Sequence, residues 1–254
     1  MSPINSIDSV SLLYKRFVGP LDTTLQVWGG SYKENDVEFE GQILDLEITD
    51  SVGASLTLVY NDWLTVRGIY SQAKTTITGE GFARVADLGQ LAQSVGNHKV
   101  AKAMNGEDVG NTFAGLSISA ELNDYFFVAE AIQQHMENTD QDTNAFYISA
   151  ARRFGNVMPY ITLERNEVHT NNDLYRDIEI TSTETGMLHG GVKAYMDAND
   201  RNEYLYSVGV RYDFHPSAAL KVQYTHVDDQ RDDNLLGVTS RDANLLSFSI
   251  DTVF

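Results

Sequence analysis

The chain has 254 residues, 18 basic against 36 acidic side chains and a net charge of -18, so it lacks the basic surface that nucleic-acid binding needs. No apolar run approaches the roughly 18 residues of a spanning helix, and a mean hydropathy of -0.28 with 42% hydrophobic residues is too polar for a helical membrane protein. The absence of cysteine excludes disulfide frameworks and thiolate metal sites.

The opening MSPINSIDS has neither a charged segment nor an apolar core of the signal-peptide kind. Alternation of apolar and polar residues then predicts strands over Ser9 to Val18, Thr23 to Tyr32, Ser51 to Tyr60, Trp63 to Lys74 and Thr112 to Leu122. It continues over Tyr125 to Met136, Asn144 to Phe154, Met158 to Val168, Asn202 to Phe214, Ser217 to Val227 and Ala243 to Phe254. VEFEGQILDLEIT, Val37 to Thr49, could add one further hairpin arm, giving eleven to twelve strands. Soluble strands run to about 5 or 6 residues, whereas tilted membrane strands need about 9 to 11, and these have the longer length.

The connections alternate in kind. Short turns are expected at Gly19-Pro20, Asn61-Asp62, Asn123-Asp124, Gly155-Asn156 and His215-Pro216, with long polar links between them. That parity matches the short periplasmic turns and long outer loops of a transmembrane barrel. Acidic stretches at Lys33 to Glu40, Glu137 to Asp142, Asn171 to Glu179 and Asp228 to Asp233 are expected to be solvated loops.

One face of strand after strand is free of charge. It carries Leu25 and Val27, Leu56 and Leu58, Val66 and Tyr70, Leu116 and Ile118, Phe146 and Ile148, and Tyr206 and Val208. Arg152 is the exception, placed where a long side chain can snorkel to lipid headgroups. The opposite faces carry Arg67, Glu121, Glu130, Arg153, Glu164, Arg211, Asp213, Lys221 and Asp251. Such charges are costly in a packed core but at home in a wet interior, so these nine are expected to line a pore.

The last segment, ANLLSFSIDTVF, puts Leu246, Phe248, Ile250 and Phe254 on one side and Ser247, Ser249 and Asp251 on the other. With the terminal Phe254 it resembles the C-terminal strand of Gram-negative outer-membrane porins. The resemblance implies an all-β, antiparallel transmembrane β-barrel in the outer membrane, of about sixteen strands. It further implies a homotrimer in contact with the lipid bilayer and lipopolysaccharide, and passive diffusion of small hydrophilic solutes or ions. Phe254 is then part of the signal read by the barrel-assembly machinery. An odd count of eleven strands cannot close antiparallel, so residues 1–254 are expected to be one barrel domain lacking its signal peptide and several N-terminal strands.

The resemblance also implies a loop that narrows the pore. The link from Thr75 to Asn111 is the candidate, because Phe82, Val85, Leu88, Leu91, Ala92 and Val95 share a helical face. Its expected pore-facing residues are Glu80, Arg84, Asp87, His98, Lys99 and Lys102, with the apolar helical face resting on the barrel wall. The link from Thr170 to Arg201 is expected to fold in a similar way.

No catalytic, cofactor or metal motif is complete. Gly79-Glu80-Gly81 lacks the third glycine of a dinucleotide fingerprint, and the six histidines never take the i, i+4 spacing of a helical zinc site. Two other readings stay open. One is an outer-membrane enzyme on a twelve-stranded barrel, with His226 at the rim as its base; the other is a soluble β-sandwich binding module.

Overall fold

A computed structural model of the chain describes residues 8–39, 41–139, 141–230 and 242–252. Among the described residues there is one sheet of eleven strands, hydrogen-bonded in sequence order and antiparallel throughout. Its first four strands are β1 (Asp8–Val18), β2 (Leu21–Phe39), β3 (Gln42–Tyr60) and β4 (Leu64–Thr78). Then come β5 (Val109–Leu122), β6 (Tyr125–Met136), β7 (Gln141–Arg152) and β8 (Val157–His169), followed by β9 (Arg201–His215), β10 (Ala218–Asp229) and β11 (Ala243–Thr252). All eleven expected strands are present. Phe254, the expected assembly signal, lies outside the described residues.

Although β2 and β3 are joined by only two residues at the opposite end, the five expected short turns all fall at one end of the sheet. They are tight because Gly19, Asn61, Asp62, Asn123 and Gly155 take positive φ, between 46° and 61°, where glycine, asparagine and aspartate are the residues best tolerated. The Asn61 amide also donates to the Pro20 carbonyl at 2.9 Å, tying two neighbouring turns together.

The expectation for Val37 to Thr49 is corrected. This stretch adds no twelfth strand but lengthens β2 and β3 to 19 residues each. At about 3.3 Å per residue each strand is roughly 60 Å long, twice the hydrocarbon thickness of a bilayer. Register shifts between Gly30 and Tyr32 and between Thr49 and Val52 separate the apolar part of the hairpin from the polar extension. Lys33 to Glu38 are therefore strand and not loop. In the extension Lys33 pairs with Glu47 at 2.6 Å and Lys74 with Asp50 at 2.9 Å.

The two longest links carry helices: α1 (Ala83–Ser94) and α2 (His98–Ala103) between β4 and β5, and α3 (Asp173–Arg176) and α4 (Thr183–Asn199) between β8 and β9. The principal buried hydrophobic core lies among these helices and not between the faces of the sheet. None of them is long and apolar enough to cross a membrane.

Candidate functional site

Cross-strand partners share a face, so the register shows which side chains stand together. One row runs Arg67, Ser117, Glu130, Tyr147, Glu164 across β4 to β8. Nearer the turns, a second row runs Glu121, Phe126, Ala151, Tyr160, Gly209, Gln223 across β5 to β10. The Tyr160 hydroxyl donates to Gln223 Oε1 at 2.8 Å. Its ring lies against Gly209, where an added Cβ would meet Tyr160 Cζ at 2.3 Å. Gln223 Nε2 donates to Thr225 Oγ1 at 3.0 Å, and the hydroxyls of Ser207 and Thr225 lie 2.9 Å apart. The wall is thus polar and internally bonded.

At the turn end the charges form a chain. Arg153 reaches Asp213 at 2.8 Å, and Asp213 accepts from Arg211 Nε at 2.7 Å. Arg211 also reaches Asp251 at 3.2 Å, and Lys221 meets the same carboxylate at 3.0 Å. The structure therefore joins five of the nine expected wall residues into one network and sets all nine on a single face. Their side chains are partly solvated, so each pair contributes about 1 kcal/mol or less to stability. What the network does offer is a fixed charge pattern on a wetted surface.

Sequence reasoning that looked only for charges passed over Tyr147, Tyr160 and Gln223. Counting by two from Glu164 or Lys221 reaches Tyr160 and Gln223, and their hydrogen-bonding groups belong to the same wall.

The other face is apolar and open. Leu56, Leu116, Ile118, Ile148, Ile161, Val208, Phe248 and Ile250 are all exposed. Exposed Tyr60, Tyr125, Phe127, Phe154, Tyr212 and Phe214 gather near the turn end, as aromatic girdles do. His226, near the other rim, has its Nδ1 3.0 Å from Asn244 Oδ1 and its ring stacked on Tyr206. These partners are an amide and a phenol ring, not a serine nucleophile.

The helices correct another expectation. The apolar face of α1, with Val85, Leu88, Leu91 and Ala92, packs on the other helices and not on the strands. Val100, Met104, Leu174, Leu188, Val192 and Met196 belong to this shared core. Gly191 lies close against Leu88, since an added Cβ would meet Leu88 Cδ2 at 2.4 Å and the leucine would have to shift. Ser182 caps α4 by accepting from the Thr185 amide, and the start of that helix holds the Glu184 carboxyl below its ordinary range through backbone and Ser182 hydrogen bonds.

Of the six expected loop residues, Lys99 bridges the two loops by an ion pair with Asp177 at 3.0 Å. His98 Nδ1 lies 3.4 Å from Gln93 Oε1. Glu80, Arg84, Asp87 and Lys102 are exposed on the surface of the cluster. The segment leading into α1 rests on the tip of the β2–β3 hairpin, where Gly81 lies so close that a Cβ would stand 2.9 Å from the Ile43 carbonyl.

No protein-family model matches the chain, and no curated protein matches its sequence. Among solved structures, the outer membrane channel DcaP of Acinetobacter baumannii matches 97% of this chain and 62% of its own, with a TM-score of 0.61 at 11% identity. The chain thus spans less than two thirds of that channel's length. Looser likenesses are those to Acinetobacter baumannii OccAB4 (TM-score 0.46, 10% identity, 97% of this chain and 53% of that one) and to Pseudomonas aeruginosa OccD3 (TM-score 0.41, 9% identity, 100% and 72%). A sheet greasy on one face and charged on the other, with its strands antiparallel in sequence order, thus has the β-barrel wall fold that this outer membrane channel has.

Proposed function

We propose that residues 1–254 form most of the wall of a channel through which small hydrophilic solutes or ions diffuse passively. The observation that carries this reading is the division of the sheet's faces, one uncharged except near its rims and the other lined by a bonded polar network. Lipid suits the first face and water the second.

The edges of the sheet support a larger barrel. With eleven strands in antiparallel order among the described residues, β1 and β11 run in the same direction and cannot pair antiparallel with each other. All of β1 is exposed, Val10 by 82% and Leu12 by 70%. An apolar edge of this kind is untenable in lipid, where every backbone donor and acceptor needs a partner. An odd number of further strands closes the wall, and the roughly sixteen strands of a general porin leave room for five. In this reading the barrels associate as a homotrimer in a bilayer with lipopolysaccharide outside, and Phe254 belongs to the signal for the barrel-assembly machinery.

Arg67, Arg153, Arg211 and Lys221 stand against Glu121, Glu130, Glu164, Asp213 and Asp251, so these nine charges nearly balance one another. The loop cluster, with Glu80, Arg84, Asp87, His98, Lys99 and Lys102 on its surface, then decides how narrow the passage is. In planar bilayers the full-length parent should give stepwise conductance, and replacing Arg67 by Glu should move the reversal potential toward cation preference. A protein that inserts but never conducts would overturn the channel reading.

A further inference from the structure

The neighbours Arg152 and Arg153 part company, because alternation along β7 sends them to opposite faces. Arg153 turns to the charged face and its ion pair with Asp213. Arg152 turns to the apolar face, where its guanidinium lies over two rings, 4.8 Å from the centroid of Tyr125 and 4.7 Å from that of Phe154. Tyr125 is its cross-strand partner on β6, and Phe154 follows two residues later with the same parity. Among the described residues Arg152 forms no ion pair, whereas Arg153 and Arg211 on the opposite face both do. The surrounding outer rim is Leu122, Phe127, Val157 and Tyr212, all apolar or phenolic and all exposed.

This is a guanidinium within cation–π distance of two aromatic rings at the level of the short turns, the periplasmic rim of a barrel. Contact with both rings holds the guanidinium in place without using its N–H donors, which then suit a tetrahedral oxyanion. We propose that Tyr125, Arg152 and Phe154 form a headgroup site for an anionic phospholipid of the periplasmic leaflet. The guanidinium donates to the lipid phosphate while the exposed apolar rim takes the upper acyl chains. The proposal rests on the reading that this face meets lipid.

The test is native mass spectrometry of the detergent-solubilised full-length parent with added phosphatidylglycerol, phosphatidylethanolamine or diacylglycerol. Phosphatidylglycerol should stay bound, phosphatidylethanolamine less so because its ammonium competes for the phosphate, and diacylglycerol least. Arg152→Gln should weaken phosphatidylglycerol retention roughly tenfold, the scale of losing a charge-assisted hydrogen-bond pair. The double variant Y125L/F154L keeps the cation and the apolar bulk but removes the rings, and should lose roughly threefold. Equal retention of diacylglycerol, or unchanged retention in Arg152→Gln, overturns the site. If Arg152→Gln does not assemble, unchanged retention in the double variant overturns it instead. A parent that stays soluble without detergent defeats the membrane reading itself, which is a different result from an inserted barrel that ignores phosphatidylglycerol.

Discussion

Two glycines on the charged face let aromatic rings lie against the strand backbone. Trp28 lies across Gly53 and Tyr160 across Gly209, each so near that an added Cβ would fall 2.3 Å from the ring. Gly209→Val should therefore cost roughly 1–3 kcal/mol, the usual scale of overpacking, and lower the temperature at which the folded barrel unfolds on a gel. Gly68→Ala, where nothing stands within 4 Å, should leave that temperature unchanged. Equal behaviour of the two variants would mean that Tyr160 does not rest on Gly209. Asp251 tests charge rather than packing, since it is shared by Arg211 and Lys221. Asp251→Asn should change stability by about 1 kcal/mol or less, because the pairs are partly solvated. It should nevertheless move the reversal potential of the channel toward anions, since two wall cations lose their common counter-charge. A cation shift would contradict the placement of Asp251 on the wall.

At the scale of elements, the two long loops behave as one body. Leu188, Val192 and Met196 of α4 share a buried core with Ala92 of α1 and with Val100 and Met104 in and beside α2. Leu188→Ala should cost the cluster roughly 2–5 kcal/mol and open it locally. Limited trypsin digestion of the folded protein should then cut after Lys99, Lys102 or Arg176, while the strands stay resistant. Loops no more sensitive than in the parent would show that the cluster does not depend on this core. Excising residues 81–106 should raise single-channel conductance. It also strips the cover from α4, so the β8–β9 loop should become protease-sensitive in the same variant. Unchanged conductance would place the cluster outside the conducting path.

The strands were legible because a half-buried strand writes its period of two directly into the chain, and the helix near Phe82 was legible by its own period. The partner of that helix was not. An apolar stripe states that something covers it, and nothing local says whether that is a wall or another loop about ninety residues away. In α4 the stripe Leu188, Val192, Met196 is regular, but Gly186, Gly190 and Gly191 dilute it. The length of β2 and β3 was half legible: alternation from Val37 to Thr49 announced a strand, yet could not tell a new arm from a longer old one. Parity sufficed to put the nine charged residues on one common face, but their linkage into one network depends on register between strands distant in sequence.

In the whole molecule, a channel wall built from this sheet has one face of every strand against lipid and the other against water. The chain has no cysteine, so single cysteines introduced along β10 report on one position at a time. In the full-length parent, assembled in the outer membrane of intact cells, a small charged thiol reagent should modify cysteines at positions 221 and 223. It should leave those at 220, 222 and 224 unmodified. Labelling that alternates in this way, together with protection of 246, 248 and 250 and access at 247, 249 and 251, is the predicted result. Equal labelling of both sets, or access at the Leu220, Val222 and Tyr224 positions and protection of the others, would contradict the claim that this sheet is the wall of a water-filled channel.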